Sequence, residues 1–276
     1  MRAIVYTRYG APEVLTLSRR DKPVPCFNRV LVKVHAISIN PLEWDHVRGK
    51  PFLVRISAGL AKPKPEYQVQ GTDVAGIVDA VGADVTRIKV GDTVFGNAPF
   101  RCLADFVAVK EPQRSILPVG FSMIEATCLP VAGGTALQAL QEYGKVQTGD
   151  QVLINGSSGG VGIFSVQIAK ALGARVTAVC STRNIELARS LGADEVLDYT
   201  GGDVIRAGKL YDVVLDNVGN YSLQTFKRLL KPVGRGVVVG FTSIGRILHT
   251  ALFGKMRGRS IALMFSDVPP KSRLCL

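Results

Sequence analysis

Apolar and polar residues alternate differently in the two halves of this chain. In the first half, short apolar stretches are separated by glycine, proline and charged residues, which is typical of β-strands joined by turns. Strands are predicted at residues 3–7, 29–38, 71–81, 93–96 and 104–109. Several short strands punctuated in this way predict a compact, barrel-like β domain.

From about residue 125 the pattern changes to helices that alternate with apolar strands. A strand is predicted directly before Gly156, and further strands and helices follow it. The helices are expected at residues 135–143, 161–172, 184–191 and 223–230, and the strands at residues 174–180, 212–216 and 235–240. Repeated strand-helix units predict a parallel sheet with helices on both faces, and therefore an α/β fold for this half.

The clearest chemical signal is the glycine-rich turn between the strand before Gly156 and the helix that follows. Gly156, Gly159 and Gly162 are three residues apart, so the backbone can turn tightly and approach a ligand closely. Amide groups at the start of the helix favour an anion such as a pyrophosphate. Two other interpretations stay open, namely a mere strand-to-helix connection and the nucleophile elbow of a hydrolase. The elbow needs a histidine, and His249 is the only one downstream.

The end of the next strand indicates which dinucleotide is bound. In NAD-binding folds, an acidic residue about twenty positions after the glycines holds the ribose 2′-hydroxyl. This chain has Ser181, Thr182 and Arg183 there, and its next carboxylate is Glu186. Two hydroxyls and a guanidinium suit a 2′-phosphate, so NADPH is favoured over NADH. The alternative for Arg183 is a solvated residue at the start of a helix.

Composition narrows the class of protein. Of the 276 residues, 47% are hydrophobic, which is ample for two cores, yet no apolar run reaches the roughly eighteen residues of a membrane helix. We expect no signal peptide, because polar residues come too early, and the five scattered cysteines favour the reducing cytoplasm. The net charge of +12 is not arranged as a basic stripe with aromatics, so no dedicated nucleic-acid binding is expected.

Six sequence motifs together resemble a known family. They are the glycine turn and residues 38–44, 71–76, 90–96, 129–136 and 191–199. The chain resembles the medium-chain dehydrogenase/reductase superfamily, and within it the zinc-independent quinone oxidoreductase (zeta-crystallin-like) branch. The resemblance implies a GroES-like β-barrel domain at residues 1–124, a doubly wound Rossmann domain that binds NADP at residues 125–265, and a short tail at residues 266–276.

The resemblance also implies roles for individual residues. Asn40 stands where zinc-dependent members have a cysteine ligand and would donate to a substrate carbonyl, although a turn residue before Pro41 is an alternative. Thr135 would lie near the nicotinamide, and Tyr199 near the 2′-phosphate, unless it is only a partly buried aromatic. The remaining cofactor contacts would be Gly156, Ser157, Ser158, Gly159, Gly160, Val161, Gly162, Asn217, Val218, Gly240 and Phe241.

Three further expectations follow from the resemblance. The catalytic-zinc positions hold Asn40, Thr72 and Val131, which are poor zinc ligands, so no metal is expected. Relatives continue for several tens of residues past the sixth sheet strand, so we expect a chain truncated at its C-terminus. Residues 261–265 would form an edge strand that joins two copies into a homodimer.

The predicted activity is NADPH-dependent transfer of hydride to a small-molecule quinone or α,β-unsaturated carbonyl. The alternative is a catalytically impaired NADPH-binding protein with a structural or regulatory role. Two departures from the family bear on the substrate side. Glu43 replaces an aspartate, and the loop at residues 97–102 is short.

Overall fold

The computed structural model describes residues 1–98, 100–111, 114–202, 209–240, 245, 250, 254–256 and 258–264. The chain divides between Val131 and Ala132 into two compact units. The predictions for Phe241, His249, Phe265 and the tail at residues 266–276 fall outside the described residues.

The first unit is built from antiparallel β structure with short helices. Five strands form one sheet in the order β6-β3-β4-β5-β7, and β1 and β2 form a separate pair. The strands are β1 (Arg2–Val5), β2 (Thr16–Arg19), β3 (Arg29–Ser38), β4 (Asp73–Val81), β5 (Thr93–Asn97), β6 (Phe106–Lys110) and β7 (Arg114–Ile116). The helices are α1 (Pro41–Arg48), α2 (Leu53–Ala58) and α3 (Met123–Thr127), with single 3₁₀ turns at Pro12–Val14 and Pro65–Tyr67.

Valines from four strands form the core of this unit. Val30 and Val32 of β3 pack with side chains of β4, β5 and β6, and Ile88 and Cys102 from the loops complete the cluster. β-Branched side chains pack well on a pleated surface, which explains why these valine-rich stretches form strands. All five strands predicted from the sequence in this half are present, with ends that differ by a few residues.

The second unit is a parallel sheet covered by helices. Its described helices are α4 (Gly134–Gln138), α5 (Gly160–Ala171), α6 (Ile185–Ser190) and α7 (Leu223–Leu229), with a 3₁₀ turn at Thr182–Asn184 and a π-type turn at Ala139–Tyr143. A further π-type turn, Leu129–Gly133, includes the division between the two units. Its strands are β8 (Gln151–Asn155), β9 (Arg175–Cys180), β10 (Glu195–Asp198), β11 (Tyr211–Asp216), β12 (Leu230–Val238), β13 (Lys255–Met256) and β14 (Arg259–Leu263).

The strand order of this sheet predicts where a ligand binds. The order is β10-β9-β8-β11-β12-β14-β13, parallel except for the short pair β13 and β14. From β8 the chain proceeds to β9 and β10 on one side and to β11, β12 and β14 on the other. In doubly wound sheets, ligands bind beyond the carboxyl ends of the strands at such a reversal. The predicted α/β Rossmann fold is therefore confirmed.

Both faces of the parallel sheet are apolar, as expected for a sheet covered by helices on each side. In β8, Val152 and Ile154 belong to one buried cluster, together with residues of α5, whereas Leu153 belongs to the cluster on the opposite face, beneath α7. A strand buried on both faces appears in the sequence as an uninterrupted apolar run, which is how β8 was recognised.

Two strand predictions need correction. The strand predicted at residues 235–240 begins at Leu230, and its pairing with β11 shifts register between Tyr211 and Val213. The strand predicted at residues 261–265 as the edge of the sheet is β14, which has β12 on one side and β13 on the other. Among the described residues, β13 pairs with Arg259 and Ser260 at the start of β14, and the Ile261 amide donates to the Gly254 carbonyl at 2.8 Å. Among the described residues, no helix is long and apolar enough to cross a bilayer.

Candidate cofactor and substrate sites

The turn after β8 presents bare backbone at the start of α5. Gly156 has a φ of +72°, a conformation that residues with side chains rarely adopt, and Gly159 is the N-cap of α5. Gly159 and Gly160 are exposed, and a Cβ added to Gly160 would contact only Ala132, at 3.8 Å. The open amides at this helix start can therefore bind a phosphate group.

The two serines of the turn have different surroundings. Ser157 is fully buried, and its hydroxyl donates to the Val179 carbonyl at 3.0 Å, which ties the turn to β9. Ser158 is half-buried, and its hydroxyl oxygen accepts a hydrogen bond from Asn184. In the described part of the second unit there is no histidine, so the hydrolase interpretation lacks its base there.

The end of β9 carries the three residues predicted to bind a 2′-phosphate. Ser181 is half-buried, and Thr182 and Arg183 are exposed in the short 3₁₀ turn that follows. Arg183 forms no hydrogen bond or ion pair within the part of the chain that the structure describes. A guanidinium in this state can bind a phosphate without first breaking an ion pair.

A carboxylate that the sequence analysis did not consider lies beside these residues. Asp198 ends β10 and is paired in register with Cys180 of β9. It accepts hydrogen bonds from the hydroxyls of Thr182 at 2.6 Å and Thr200 at 2.7 Å. These bonds, with the Thr182 hydroxyl foremost, lower the pKa of Asp198. Only the pairing of β10 with β9 reveals this neighbour, because sixteen residues separate Thr182 from Asp198.

Tyr199 follows Asp198 and is 57% exposed. Its backbone amide donates to the Cys180 carbonyl at 3.1 Å, which fixes the residue beside the end of β9. Tyr199 is thus exposed beside the predicted phosphate site, whereas the alternative interpretation expected a partly buried aromatic residue. Its role toward a cofactor stays a prediction.

A second group of polar residues lies where β8 and β11 end. The buried carboxylate of Asp216 accepts hydrogen bonds from Asn155 Nδ2 at 2.7 Å and from the backbone amides of Gly219 and Tyr221, both at 2.9 Å. This network shapes the loop after β11 and was not recognised from the sequence. Its signal was an aspartate that ends an otherwise apolar strand, since a buried charge requires partners.

The loop after β11 contains an unsatisfied amide. Both side-chain polar atoms of Asn217 are buried, and neither has a hydrogen-bond partner in the part of the chain that the structure describes. A Cβ on Gly240 would be 2.2 Å from the Asn217 carbonyl oxygen, and a Cβ on Gly156 would be 2.7 Å from Val218. The strand ends after β8, β11 and β12 are thus packed closely together, which requires glycine at both positions. The buried amide of Asn217 and the open backbone of Gly159 and Gly160 fit a dinucleotide cofactor. Thr135, predicted near the nicotinamide, is buried in α4.

In the first unit, Asn40 begins α1 and lies within a compact polar cluster. Asn40 Nδ2 donates to Asp73 at 3.0 Å and is 3.4 Å from the hydroxyls of Ser38 and Thr72. Thr72 donates to the buried Glu43 at 2.6 Å, and Glu43 also accepts the Asn40 backbone amide at 2.7 Å. Asn40 is therefore the N-cap of α1 and also part of this polar cluster. The alternative interpretation, a turn residue before Pro41, accounts only for its position at the start of the helix.

Asp73 is the central acceptor of this polar cluster. Its carboxylate accepts the Ser38 hydroxyl at 2.7 Å, the Asn40 amide and the Val131 backbone amide at 3.2 Å. Burial raises the pKa of Asp73 to about 6, and the nearby Glu43 also raises it, whereas the hydrogen bonds from Ser38 and Asn40 lower it.

The three positions implied for zinc hold Asn40, Thr72 and Val131. The described residues contain no cluster of histidine, cysteine and carboxylate side chains suited to a metal ion.

The fold and these strand ends define a two-unit protein with an antiparallel β unit and a doubly wound, Rossmann-type unit. Family comparison agrees with this class. The model of the alcohol dehydrogenase GroES-like domain matches residues 27–153, and that of zinc-binding dehydrogenases matches residues 160–267. The chain belongs to the medium-chain dehydrogenase/reductase superfamily and to its quinone oxidoreductase-like branch.

Two curated relatives are similar over most of the chain. The mitochondrial NAD(P)H oxidoreductase RTN4IP1 of Bos taurus is 37% identical over 243 residues, which cover 79% of this chain and 60% of that protein. The chloroplast envelope quinone oxidoreductase homolog of Arabidopsis thaliana is 38% identical over 256 residues, which cover 85% of this chain and 73% of that protein. The chain thus spans about 60% of the length of the mitochondrial relative. The predicted cytoplasmic location is not confirmed, because these names refer to mitochondria and chloroplasts.

Two solved structures share the fold over nearly the whole chain. The quinone oxidoreductase of Coxiella burnetii has a TM-score of 0.87 and 32% identity, covering 99% of this chain and 85% of its own. The Escherichia coli quinone oxidoreductase, solved in complex with NADPH, has a TM-score of 0.82 and 25% identity, covering 99% of this chain and 83% of its own.

Proposed function

We propose that this protein is an NADPH-dependent oxidoreductase that transfers hydride to a quinone or an α,β-unsaturated carbonyl. The observation that carries this proposal is the pair of strand ends after β8 and β9. The first presents the open amides of Gly159 and Gly160, and the second presents the Arg183 guanidinium, which has no ion pair within the described residues. Together they offer one site for a pyrophosphate and one for a further phosphate, as NADPH requires.

The names of the similar proteins support the reaction class. The mitochondrial relative is called an NAD(P)H oxidoreductase, and the Escherichia coli structure contains NADPH. Neither name distinguishes NADPH from NADH for this chain, so the choice rests on residues. Asp198 lies near Thr182, but its oxygens already accept hydrogen bonds from Thr182 and Thr200. The carboxylate is thus engaged within the protein, and the preference for NADPH is attributed to the Arg183 guanidinium, which suits a phosphate.

In this proposal, bound NADPH supplies a hydride from nicotinamide C4, and the protein orients the substrate and stabilises charge. Asn40 Nδ2 has two protons, and the short hydrogen bond to Asp73 uses one of them. The contacts of the second proton are 3.4 Å long, so this proton can be donated to a substrate carbonyl. Such a donor stabilises the negative charge that develops on the carbonyl oxygen during hydride transfer. Solvent then protonates the product.

Thr72 and Glu43 fix the orientation of the Asn40 amide. The Thr72 hydroxyl gives its proton to Glu43, so its oxygen can only accept from Asn40. Glu43 holds the Asn40 backbone amide as well, which completes the capping box of α1. The glutamate at this position, one methylene longer than the family aspartate, therefore accepts the Thr72 hydroxyl and also caps α1.

Assembly into a homodimer through the outer strands of the parallel sheet remains part of the proposal. The second half of β14, Ile261–Leu263, is apolar, and β13 at the outside of the sheet contributes only two described residues. Apolar strands near the edge of a sheet tend to associate with another strand.

A turnover screen tests the proposed activity. NADPH oxidation would be followed by absorbance with quinones, enones and simple aldehydes, and NADPH binding would be measured separately by nicotinamide fluorescence. Turnover of a quinone or enone, with NADPH preferred over NADH, is the expected result. Tight NADPH binding without turnover of any substrate would instead indicate the catalytically impaired protein.

A further inference from the structure

Asn184 joins the glycine turn to the end of β9. Its Nδ2 atom donates one hydrogen bond to the Ser158 hydroxyl oxygen at 3.0 Å and another to the Ser181 hydroxyl oxygen at 3.1 Å. Asn184 also occupies the N-cap position of α6, yet its side chain makes no capping hydrogen bond. An asparagine at this position ordinarily caps the helix by accepting a hydrogen bond through Oδ1. Here the Nδ2 group has the partners, and they are the two serine hydroxyls.

The two hydrogen bonds determine what the serine hydroxyls can offer to a ligand. Each hydroxyl has one proton to donate and can also accept. Because Asn184 donates to both oxygens, the protons of Ser158 and Ser181 are left to point away from it. Their oxygens are at most about 6 Å apart, since both are bonded to one nitrogen. Two outward donors at this spacing can both reach a single phosphate group.

Thr182 provides a contrast within the same strand end. Its hydroxyl is 2.6 Å from Asp198 and 2.6 Å from the Thr200 hydroxyl. The single proton of Thr182 is therefore used within the protein, and the hydroxyl offers only its oxygen to a ligand. A phosphate group is an acceptor, so Ser181 suits it and Thr182 does not.

We propose that Asn184 is a positioning residue for cofactor specificity. By donating to Ser158 and Ser181, it presets their hydroxyls as donors to the 2′-phosphate of NADPH, with Arg183 as the neighbouring cation. The inference rests on the proposed function, because it concerns the same cofactor. It adds Asn184, which does not contact the phosphate but orients the two serine hydroxyls that do. It also removes Thr182 from the predicted phosphate ligands.

Binding measurements on variants test the inference without requiring turnover. Nicotinamide fluorescence gives the Kd for NADPH and for NADH, and the ratio of the two reports recognition of the 2′-phosphate. Asn184→Ala removes the amide, whereas Asn184→Ser retains an N-cap residue but cannot donate to both serines. We expect both variants to lose about tenfold in preference for NADPH, the effect of weakened hydrogen bonds to a charged group, with an unchanged Kd for NADH.

A double-mutant cycle then asks whether Asn184 acts through the serines. In a Ser158→Ala, Ser181→Ala background, Asn184→Ala should have no further effect on the ratio of the two Kd values. Full preference in Asn184→Ser, or an undiminished effect of Asn184→Ala in the serine-free background, would overturn the inference. Equal affinities for NADPH and NADH in the unmutated protein would overturn it together with the proposed cofactor. NADPH preference without turnover would leave it intact and contradict only the proposed activity.

Discussion

Gly162 packs directly on Gly156. A Cβ atom added to Gly162 would lie 2.1 Å from the Gly156 carbonyl oxygen and 2.7 Å from two backbone atoms of Ser157. No rotamer change can relieve this contact, because all the atoms belong to the backbone. The close approach of α5 to the turn therefore depends on a hydrogen in place of a side chain at this position.

We predict that Gly162→Ala destabilises the second unit by about 1–3 kcal/mol, since the backbone must shift to accommodate the methyl group. Gly160→Ala is the matched control, because its added Cβ would meet only Ala132 at 3.8 Å. Thermal or denaturant unfolding of both variants measures the difference. Equal stabilities for the two variants would show that the turn can relax and that our account of its packing is wrong.

Local patterns were sufficient to predict this part of the molecule. The apolar run of β8, the spacing of the glycines and the helical period of α5 all lie within about twenty-five consecutive residues and reflect backbone requirements. The doubly wound fold followed because the same unit recurs. The strand predicted at residues 235–240 was too short because its first residues, Lys231 and Pro232, resemble the end of a helix.

The contacts that decide chemistry could not be predicted, because they join residues from different elements. Asp198 meets Thr182 only because β10 pairs with β9. Asn184 resembles an ordinary helix cap in the sequence, and its two serine partners are three and twenty-six residues away. Similarly, Asn40 and Asp73 are brought together by the pairing of β3 with β4. Candidate residues can be named from sequence, but their protons cannot be assigned without their partners.

Arg183 should determine the preference for NADPH. Its guanidinium is exposed and unpaired within the described residues, so Arg183→Ala should reduce NADPH binding relative to NADH by roughly 1–3 kcal/mol. Arg189→Ala is the control, because that arginine lies on α6 but pairs with Glu186 at 2.8 Å. Fluorescence titration with both nucleotides measures the effect. An equal loss of affinity for NADPH and NADH would show that Arg183 does not recognise the 2′-phosphate and contributes only to the overall positive charge of the site.

Asn40 should contribute to the substrate step and not to cofactor affinity. Asn40→Ala removes both the donor and the helix cap, so we expect kcat/KM to fall by about ten- to a hundredfold and stability by about 1 kcal/mol. Asn40→Ser restores a capping side chain without the amide. It should recover the stability but not kcat/KM, while the Kd for NADPH stays unchanged in both variants. Recovery of kcat/KM in Asn40→Ser would assign Asn40 to capping alone.

Metal content gives an independent check on the first unit. Asn40 and Thr72 are neutral, and Thr72 already donates to Glu43, so neither can replace the thiolate or imidazole ligands of a catalytic zinc. Elemental analysis of the purified protein should give well under one zinc per chain, and chelators should leave turnover unchanged. Zinc in a one-to-one ratio, lost together with activity on chelation, would contradict the assignment of Asn40 as a donor to substrate.

Asp73 should make the stability of the protein depend on pH. Burial raises its pKa to about 6, whereas an aspartate in an unfolded chain titrates near 3.9. The folded state therefore holds the proton more tightly than the unfolded state does. The stabilising contribution of protonation is complete below about pH 4 and is lost as the pH rises to about 6, a change on the order of 3 kcal/mol.

Comparison with Asp73→Asn isolates this contribution from that of the other carboxylates. The variant cannot titrate at this position, although its amide is a poorer acceptor for Ser38, Asn40 and Val131, which lowers its stability at every pH. The difference in unfolding free energy between the unmutated protein and the variant should shrink between pH 4 and pH 6 and then stay constant. A constant difference between the unmutated protein and Asp73→Asn across this range would mean that the hydrogen bonds of the polar cluster outweigh burial and keep Asp73 ionised.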